Sequence, residues 1–333
     1  MRRRTVSRLV LAVLTAVACG ERPPATTDSL GDFAAGVALP PGEHRLAVAD
    51  GSIWYKVSGS GTGAPVILLH GGPGYSSFYL KPLEALGDDR PVVRYDQLGG
   101  GKSDNLSDTA KFNIAHFVAE VDSLRAHLGY EKTHVLGHSW GTIVAVEYYK
   151  VHPERVISLT LGSSALDIPA WEKNARRLVT TLPDSMQRAI KQREAEGKFD
   201  APDYQAAMGE FYARYVWRKP VQADLDSLMA TANSDIYMYM QGPSEFTITG
   251  TLKRYDAKPF LKDIKVPTLF AVGEFDEADV PTVRRHAALV PGAKVVVIPD
   301  AAHLTTWDNP DALLKAVRDF LREVDAGKPA SAK

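Results

Sequence analysis

Three features are scarce in this sequence of 333 residues: cysteine, net charge and long apolar runs. Cys19 is the only cysteine, so no disulfide can form within the chain. The formal net charge of -1 excludes the basic footprint that nucleic-acid binding requires. The apolar stretch 9–18 is too short to cross a bilayer as a helix. With 45% hydrophobic and 24% charged residues, the chain is long enough for one large α/β domain with an insertion.

The first 18 residues have the composition of an export signal. Arginines at positions 2, 3, 4 and 8 precede the apolar stretch, and small residues lead to Cys19. Cys19 directly follows Ala-Val-Ala, which resembles a bacterial lipoprotein cleavage site, although leucine is usual where Ala16 stands. An ordinary secretory signal is the alternative. We therefore expect an exported protein, either a periplasmic or membrane-anchored lipoprotein held by a lipid on Cys19, or a secreted one. Residues 19–41 are expected to be a flexible tether.

A serine between two glycines is the centre of the sequence. Ser139 follows an apolar run and precedes a helix-like one, which predicts a nucleophile elbow. A strand over 133–136 must reverse into a helix near Trp140 through a turn so tight that Ser139 takes a strained backbone conformation. Gly137 and Gly141 remove side chains that would collide there. A serine hydroxyl needs a base, so the elbow predicts a carboxylate and a histidine further along the chain.

Asp276 and His303 are the predicted partners of Ser139. Each lies just beyond the carboxyl end of a predicted strand, 267–272 and 294–298 respectively. Ligands of open parallel sheets bind outside the carboxyl ends of the strands, so we expect the three residues to converge. His303 would act as general base and then general acid, and Asp276 would hold its tautomer and stabilise the imidazolium. The competing acids are Glu274, Asp279 and Asp300.

Three other histidines are expected to be structural. They are His70, in a glycine-rich loop, His134, in a strand, and His138, which lies beside the serine and is expected to point elsewhere. The glycine cluster after His70 follows the buried strand 65–69, so the Gly72 N–H is predicted to form the oxyanion hole together with the Trp140 N–H.

The remaining segments organise the chain around this site. A hairpin is predicted over 44–57. The glycines at 99–101 lack the phosphate-loop spacing, because position 96 is Asp, so nucleotide binding is discounted. Residues 166–250 show no strand pattern and separate two sets of strands, which predicts a helical cap inserted in a core of residues 42–165 and 251–326.

Five motifs together resemble the proline iminopeptidase (prolyl aminopeptidase) family over about residues 43–325, in particular the tricorn-interacting aminopeptidase type. They are His-Gly-Gly-Pro-Gly at 70–74, Asp-Gln-Leu-Gly-Gly-Gly-Lys-Ser at 96–103, Gly-His-Ser-Trp-Gly at 137–141, Gly-Pro-Ser-Glu-Phe-Thr-Ile-Thr-Gly at 242–250 and Gly-Glu-Phe-Asp-Glu at 273–277. The resemblance implies an α/β-hydrolase fold, a mostly parallel central sheet flanked by helices with an inserted helical cap. It implies a serine exopeptidase, with no metal or cofactor, that releases the N-terminal residue, often proline, from short peptides.

The resemblance also implies that Glu245 and Glu277 bind the free amino group of the substrate. Two carboxylates at a fixed distance from the nucleophile favour a cationic amine over an uncharged internal amide. His138 stands where the family often has glutamine. The alternatives are an ester, lactone or amino-acid amide hydrolase with the same triad, and a catalytically silent surface-binding lipoprotein. Hydrolases that use an aspartate nucleophile at the elbow are excluded by Ser139.

Overall fold

The computed structural model describes residues 40–106 and 108–327. Cys19, the predicted export signal and nearly all of the predicted tether lie outside these ranges. Within them, eight strands form one sheet. The strands are β1 (Gly42–Val48), β2 (Gly51–Ser58), β3 (Val66–Leu69), β4 (Val92–Asp96), β5 (Thr133–His138), β6 (Val156–Gly162), β7 (Thr268–Gly273) and β8 (Lys294–Ile298).

The sheet is mostly parallel, as predicted. Its strand order is β1-β2-β4-β3-β5-β6-β7-β8. β2 pairs antiparallel with β1 and β4, and every further neighbour pair is parallel. All residues of β3, β5 and β7 are buried, which is expected of strands covered by helices on both faces. The carboxyl ends of β3, β5, β7 and β8 therefore meet at one edge of the sheet.

Helices flank the sheet and fill the segment between β6 and β7. In the described part of the chain the α-helices are α1 (Ile114–His127), α2 (Trp140–Val151), α3 (Ile168–Val179), α4 (Asp184–Glu196), α5 (Pro202–Tyr215), α6 (Gln222–Ala230), α7 (Ser234–Met240), α8 (Lys258–Leu261), α9 (Val280–Leu289), α10 (Thr305–Asp308) and α11 (Pro310–Asp325). Five of them, α3 to α7, fall in the predicted cap segment. Across the described residues, none of the helices combines the length and apolar character needed to span a membrane.

Two apolar clusters cover the two faces of the sheet. Alternate residues of one strand enter different clusters, because successive side chains of a strand point to opposite faces. In β7, Phe270 and Val272 join one cluster, while Leu269 and Ala271 join the other. The second cluster continues into α3, α4 and α5, so part of the predicted cap shares a core with the sheet.

The junction between β5 and α2 is tightly packed. Ser139 occupies the N-cap position of α2 with φ 55° and ψ -124°, in the left-handed half of φ space that side chains disfavour. A Cβ at Gly137 would lie 2.3 Å from the carbonyl oxygen of Gly141, and a Cβ at Gly141 would lie 2.2 Å from that of Leu69. Only glycine permits these backbones to approach so closely.

The elbow contact predicts a contrast between two glycine-to-alanine substitutions. In Gly137→Ala the new methyl group meets backbone that cannot move aside, so we expect the free energy of unfolding to fall by about 3 kcal/mol. Gly209 is exposed in α5 and a Cβ there meets nothing within 4 Å, so Gly209→Ala should raise it by about 0.5–1 kcal/mol. Urea unfolding of both variants makes the comparison, and unchanged stability of Gly137→Ala would contradict it.

Candidate active site

Ser139 lies at the carboxyl edge of the sheet, in the turn between β5 and α2. Its strained backbone is held by hydrogen bonds on both sides, from its own N–H to the Gly162 carbonyl (2.9 Å) and from the Thr142 N–H to its carbonyl (2.8 Å). Its side chain and that of His303 line the same pocket. Among the described residues no hydrogen bond joins the two side chains, and hydrogen bonds between nucleophile and base are often long in free enzymes and tighten in the substrate complex.

Asp276 and His303 are brought together as predicted. His303 Nδ1 lies 2.9 Å from Asp276 Oδ1, and both side chains are buried. Asp276 also accepts hydrogen bonds from the backbone N–H groups of Ala278 (2.8 Å) and Gly273 (3.3 Å). Burial alone would raise the pKa of Asp276, but the attraction of His303 and the hydrogen bonds outweigh it, and the pKa is lowered. A charged Asp276 can therefore orient His303 with Nε2 toward the nucleophile.

The competing acids have other partners. Glu274 accepts a hydrogen bond from the Asp300 N–H at 3.0 Å. Asp279 caps α9 and pairs with Arg177 at 3.0 Å. The Asp300 side chain pairs with Lys219. Asp276 is therefore the carboxylate that the fold presents to His303.

The loop after β3 lies opposite Ser139, where an oxyanion donor is needed. Gly71 and Gly72 line the pocket beside Ser139. Gly72 has φ 120°, and a Cβ there would lie 2.9 Å from the Tyr75 nitrogen, so glycine is required. Trp140 is the first residue of α2, where backbone N–H groups have no partner within the helix, and its indole N–H donates to Gln97 (2.8 Å). The predicted Gly72 and Trp140 donors thus flank the serine.

Two of the three remaining histidines, His70 and His134, lie in structural positions. His70 is buried, accepts a hydrogen bond from the Gln97 N–H (3.0 Å) and contacts the Gly71 carbonyl (2.7 Å). His134 is the second residue of β5, at the opposite end of the strand from Ser139, and contacts Ser158 and Asp325. Both are hydrogen-bonded within the fold, as expected of structural residues.

The expectation that His138 points elsewhere is wrong. Its ring centroid lies 4.8 Å from that of His303, and its Nε2 lies 2.9 Å from the His303 carbonyl oxygen. The error has a simple origin. Side chains alternate along β5, but the chain turns left-handed at Ser139, so strand periodicity gives no guide to where residue 138 ends up relative to the next loop.

Glu245 and Glu277 lie in very different surroundings. Glu245 lines the pocket and accepts hydrogen bonds from the Tyr237 hydroxyl (2.6 Å) and the Gln241 amide (3.3 Å). Glu277 is completely buried, and neither of its carboxyl oxygens has a partner among the described residues. Burial raises the pKa of both groups, and for Glu277 the neighbouring charges of Glu245 and Asp276 raise it further. The site is therefore short of positive charge.

Aromatic side chains form much of the pocket wall. They are Tyr75, Tyr79, Tyr212, Trp217 and Tyr237, the last three from the predicted cap segment. Trp171 packs edge-on against His303, with ring centroids 5.3 Å apart. The pocket next to Ser139 thus combines an apolar wall with one acidic end.

Residues 215–219, which we call the cap strap, tie the predicted cap to the triad. The Tyr215 carbonyl accepts hydrogen bonds from the N–H groups of His303 (3.2 Å) and Glu277 (3.4 Å). Asp308, at the end of α10, accepts from the N–H groups of Arg218 (2.9 Å), Lys219 (2.8 Å) and Ala302 (2.7 Å). The strap therefore holds the loop that carries His303.

Sequence reasoning missed Tyr79, Ser163, Tyr237 and Asp308. Ser163 follows β6 with φ 48° and donates a hydrogen bond to the His303 carbonyl at 3.0 Å. Its place at the carboxyl end of a parallel strand was a usable signal. Tyr79, Tyr237 and Asp308 gave no signal, because their roles depend on contacts between segments far apart in sequence.

The fold and the site define a serine hydrolase of the alpha/beta hydrolase class, and the family described as alpha/beta hydrolase fold matches residues 64–310. The proline iminopeptidase of Heyndrickxia coagulans is 39% identical over 285 residues, which are 85% of this chain and 99% of that protein. The proline iminopeptidase of Saccharolobus solfataricus is 34% identical over 81% of this chain and 88% of its own length.

A solved structure gives the same result. The crystal structure of proline iminopeptidase from Mycobacterium smegmatis superposes with a TM-score of 0.79 at 32% identity, covering 86% of this chain and 99% of that one. The chain belongs to the proline iminopeptidase family of the alpha/beta hydrolases. The predicted fold class and the predicted resemblance are both confirmed.

The buried Glu277 predicts a gain in stability when it is removed. Because its pKa is raised in the folded state, its contribution to stability is fully present below the unfolded-state pKa and is lost as the pH rises through the folded-state pKa. Glu277→Met keeps the side-chain length without the charge. We expect it to raise the free energy of unfolding by about 1–3 kcal/mol in mildly alkaline buffer and by less in acid.

Urea unfolding at two pH values measures this difference. Glu274→Met is the matched control, because Glu274 is exposed and three residues away, and it should change stability little at either pH. A Glu277→Met protein that is less stable than the parent in alkaline buffer would contradict the prediction.

Proposed function

We propose that this protein is a serine exopeptidase that releases the N-terminal residue of short peptides, with proline preferred, through an acyl-enzyme on Ser139. The observation that carries the proposal is Glu277, a fully buried carboxylate whose oxygens have no partner among the described residues. Such a group costs stability, so a partner that arrives from outside the fold accounts for it. A cationic substrate amine supplies both the charge and the N–H donors.

Glu245 and Glu277 would divide the recognition of that amine. Glu245 already has two hydrogen bonds, which fix its carboxylate at the pocket wall. Glu277 is a close neighbour of Glu245, and neither of its carboxyl oxygens has a partner among the described residues. An internal peptide bond presents a neutral amide and cannot satisfy two carboxylates, so the same pair that binds a free amine rejects the interior of a chain. The aromatic wall offers an apolar surface to a proline ring.

The remaining residues supply the chemistry of acyl transfer. His303 takes the proton of the Ser139 hydroxyl as the oxygen attacks the scissile carbonyl, and Asp276 stabilises the imidazolium. The Gly72 and Trp140 N–H groups stabilise the oxyanion, each contributing about 3–4 kcal/mol. His303 then protonates the leaving amine, and the shortened peptide departs. Water, activated by the same histidine, releases the amino acid from Ser139.

Removal of either glutamate should separate free-amine substrates from all others. For Glu245→Gln and Glu277→Gln we expect kcat/KM on proline arylamide to fall by about 100-fold or more, because a desolvated charge loses its partner. Cleavage of a short-chain nitrophenyl ester should persist. Glu274→Gln is the matched control and should behave as the parent, since within the described ranges the Glu274 side chain accepts a hydrogen bond only from the backbone of the exposed Asp300.

The substrate panel decides between the proposal and its alternatives. It compares proline, alanine and leucine arylamides with their N-acetyl forms and with the ester. If the parent cleaves the acetylated forms equally, or the ester alone, the protein is an ester, lactone or amide hydrolase instead. Ser139→Ala should abolish every activity, and failure of a phosphonate to label Ser139 in the parent would indicate a silent binding protein.

We also propose the segment roles predicted from the sequence. Residues 42–165 and 251–326 are the catalytic core, and 166–250 are the cap whose pocket selects the substrate. Residues 1–18 are an export signal, and Cys19 carries a lipid that attaches the enzyme to a membrane. The support for the last point is the arginine cluster, the short apolar stretch and the lone cysteine after Ala-Val-Ala.

Cys19→Ala tests the attachment without touching the catalytic residues. In a bacterial host we expect the parent in the membrane fraction, released by detergent, and the Cys19→Ala protein in the soluble exported fraction with the same kcat/KM. Equal distribution of the two proteins would favour a secretory signal, and cytosolic activity of the parent would refute export altogether.

A further inference from the structure

His138 sits between the triad histidine and the glycine loop opposite the nucleophile. Its Nε2 lies 2.9 Å from the His303 carbonyl oxygen, and its Nδ1 lies 2.8 Å from the Tyr79 hydroxyl. The Tyr79 hydroxyl in turn accepts a hydrogen bond from the Gly71 N–H at 2.6 Å. One continuous chain of hydrogen bonds therefore runs from the loop of Gly71 to the backbone of His303.

The position of every proton in this chain follows from its ends. A carbonyl oxygen can only accept, so His138 Nε2 carries a hydrogen. Burial, helped by the neighbouring His303, lowers the pKa of His138 to about 3, so the ring is neutral and Nδ1 is bare. The Tyr79 hydroxyl must then donate to Nδ1, which leaves its oxygen free to accept from Gly71. Tyr79 has no proton to offer to a substrate oxyanion.

Packing adds to the hydrogen bonds. The His138 ring is tilted 57° against that of His303 at 4.8 Å, and Tyr79 meets His138 edge-on at 5.2 Å. A Cβ on Gly71 would lie 2.9 Å from both the Ser139 Cβ and the Tyr79 hydroxyl, so the loop, the tyrosine and the nucleophile are in close contact. A shift of Tyr79 therefore moves the loop that carries Gly72.

We propose that Tyr79 and His138 are positioning residues that hold the Gly71–Gly72 loop and the His303 backbone at a fixed separation across Ser139. Oxyanion donors and the general base must both meet the transition state, and misplacement by about 1 Å costs on the order of 100-fold in rate. The chain couples them through side chains that make no contact with Asp276 or the two glutamates among the hydrogen bonds of the described residues. The proposal rests on the serine mechanism proposed above, though not on its preference for an amine.

Three variants test the hydrogen bonds apart from the packing. His138→Leu fills the site but can neither donate nor accept. Tyr79→Phe keeps the ring and loses the hydroxyl. His138→Gln restores both functions, because its amide can donate to the His303 carbonyl and its oxygen can accept from Tyr79. Tyr55→Phe is the matched control, since the Tyr55 hydroxyl contacts His127 at 3.1 Å in a similar edge-on pair on β2 and α1.

We expect His138→Leu and Tyr79→Phe each to lower kcat by about 10- to 100-fold with KM little changed. The kcat of the double variant should be no lower than that of the less active single variant. His138→Gln should recover most of the rate, and Tyr55→Phe should equal the parent. A KM change in place of the kcat change, strictly additive losses, or no recovery with glutamine would overturn the proposal. If His138→Leu does not fold, Tyr79→Phe and His138→Gln still decide it.

The rate at which a phosphonate labels Ser139 keeps this test separate from the proposed substrate. Labelling needs the activated serine and the oxyanion loop but no substrate amine. We expect the labelling rate to fall in parallel with kcat in His138→Leu and Tyr79→Phe. If the parent labels but cleaves no free-amine substrate, the exopeptidase proposal fails while the positioning proposal stands. Unchanged labelling in both variants would refute the positioning proposal alone.

Discussion

The close approach of three backbone segments around Ser139 is the constraint on which the rest of the structure depends. The elbow brings Gly137 against Gly141, and Gly141 against the carbonyl of Leu69, at distances that no side chain permits. The left-handed backbone at Ser139 costs on the order of 1–3 kcal/mol and persists only because β3, β5 and the first turns of α2 are buried around it. In return the nucleophile stands clear of the sheet edge where β3, β7 and β8 deliver their own loops.

A second cost lies at Glu277, which is buried next to the pocket-lining Glu245. The carboxyl group of Glu277 accepts no hydrogen bond from the described residues, whereas the carboxyl group of its neighbour Glu245 accepts two. A fold selected for stability alone would place an apolar residue at 277, because an unsatisfied buried carboxyl is unfavourable in either protonation state. The two costs differ in kind. The strain at Ser139 is offset within the fold, whereas no described residue offsets the deficit at Glu277 with a hydrogen bond, and under the proposed function a substrate amine would do so.

The sequence was informative wherever a rule is local. Alternation and apolar runs located the strands, and tight glycine spacing located the elbow. Asp276 and His303 followed from their places just beyond strand ends, since parallel strands deliver such residues to one edge. What failed was the orientation of His138, and what was missed was Tyr79 and the cap strap. These depend on pairs such as 79 with 138 and 215 with 303, which no periodicity relates.

The cap strap explains why substrate selection and catalysis are joined in this architecture. The Tyr215 carbonyl accepts from both Glu277 and His303, so one peptide unit of the strap touches the acid that would bind the amine and the base that would move the proton. Asp308 fixes the strap a few residues later by three backbone N–H groups, one of them in the His303 loop. A cap anchored in this way cannot swing as a free lid without breaking buried hydrogen bonds at the base itself. Any opening that admits a peptide must therefore leave the strap in place, so the backbones of Glu277 and His303 stay fixed relative to one another. An enzyme that removes a single residue from the end of a peptide requires a fixed distance between the group that would bind the amine and the catalytic residues.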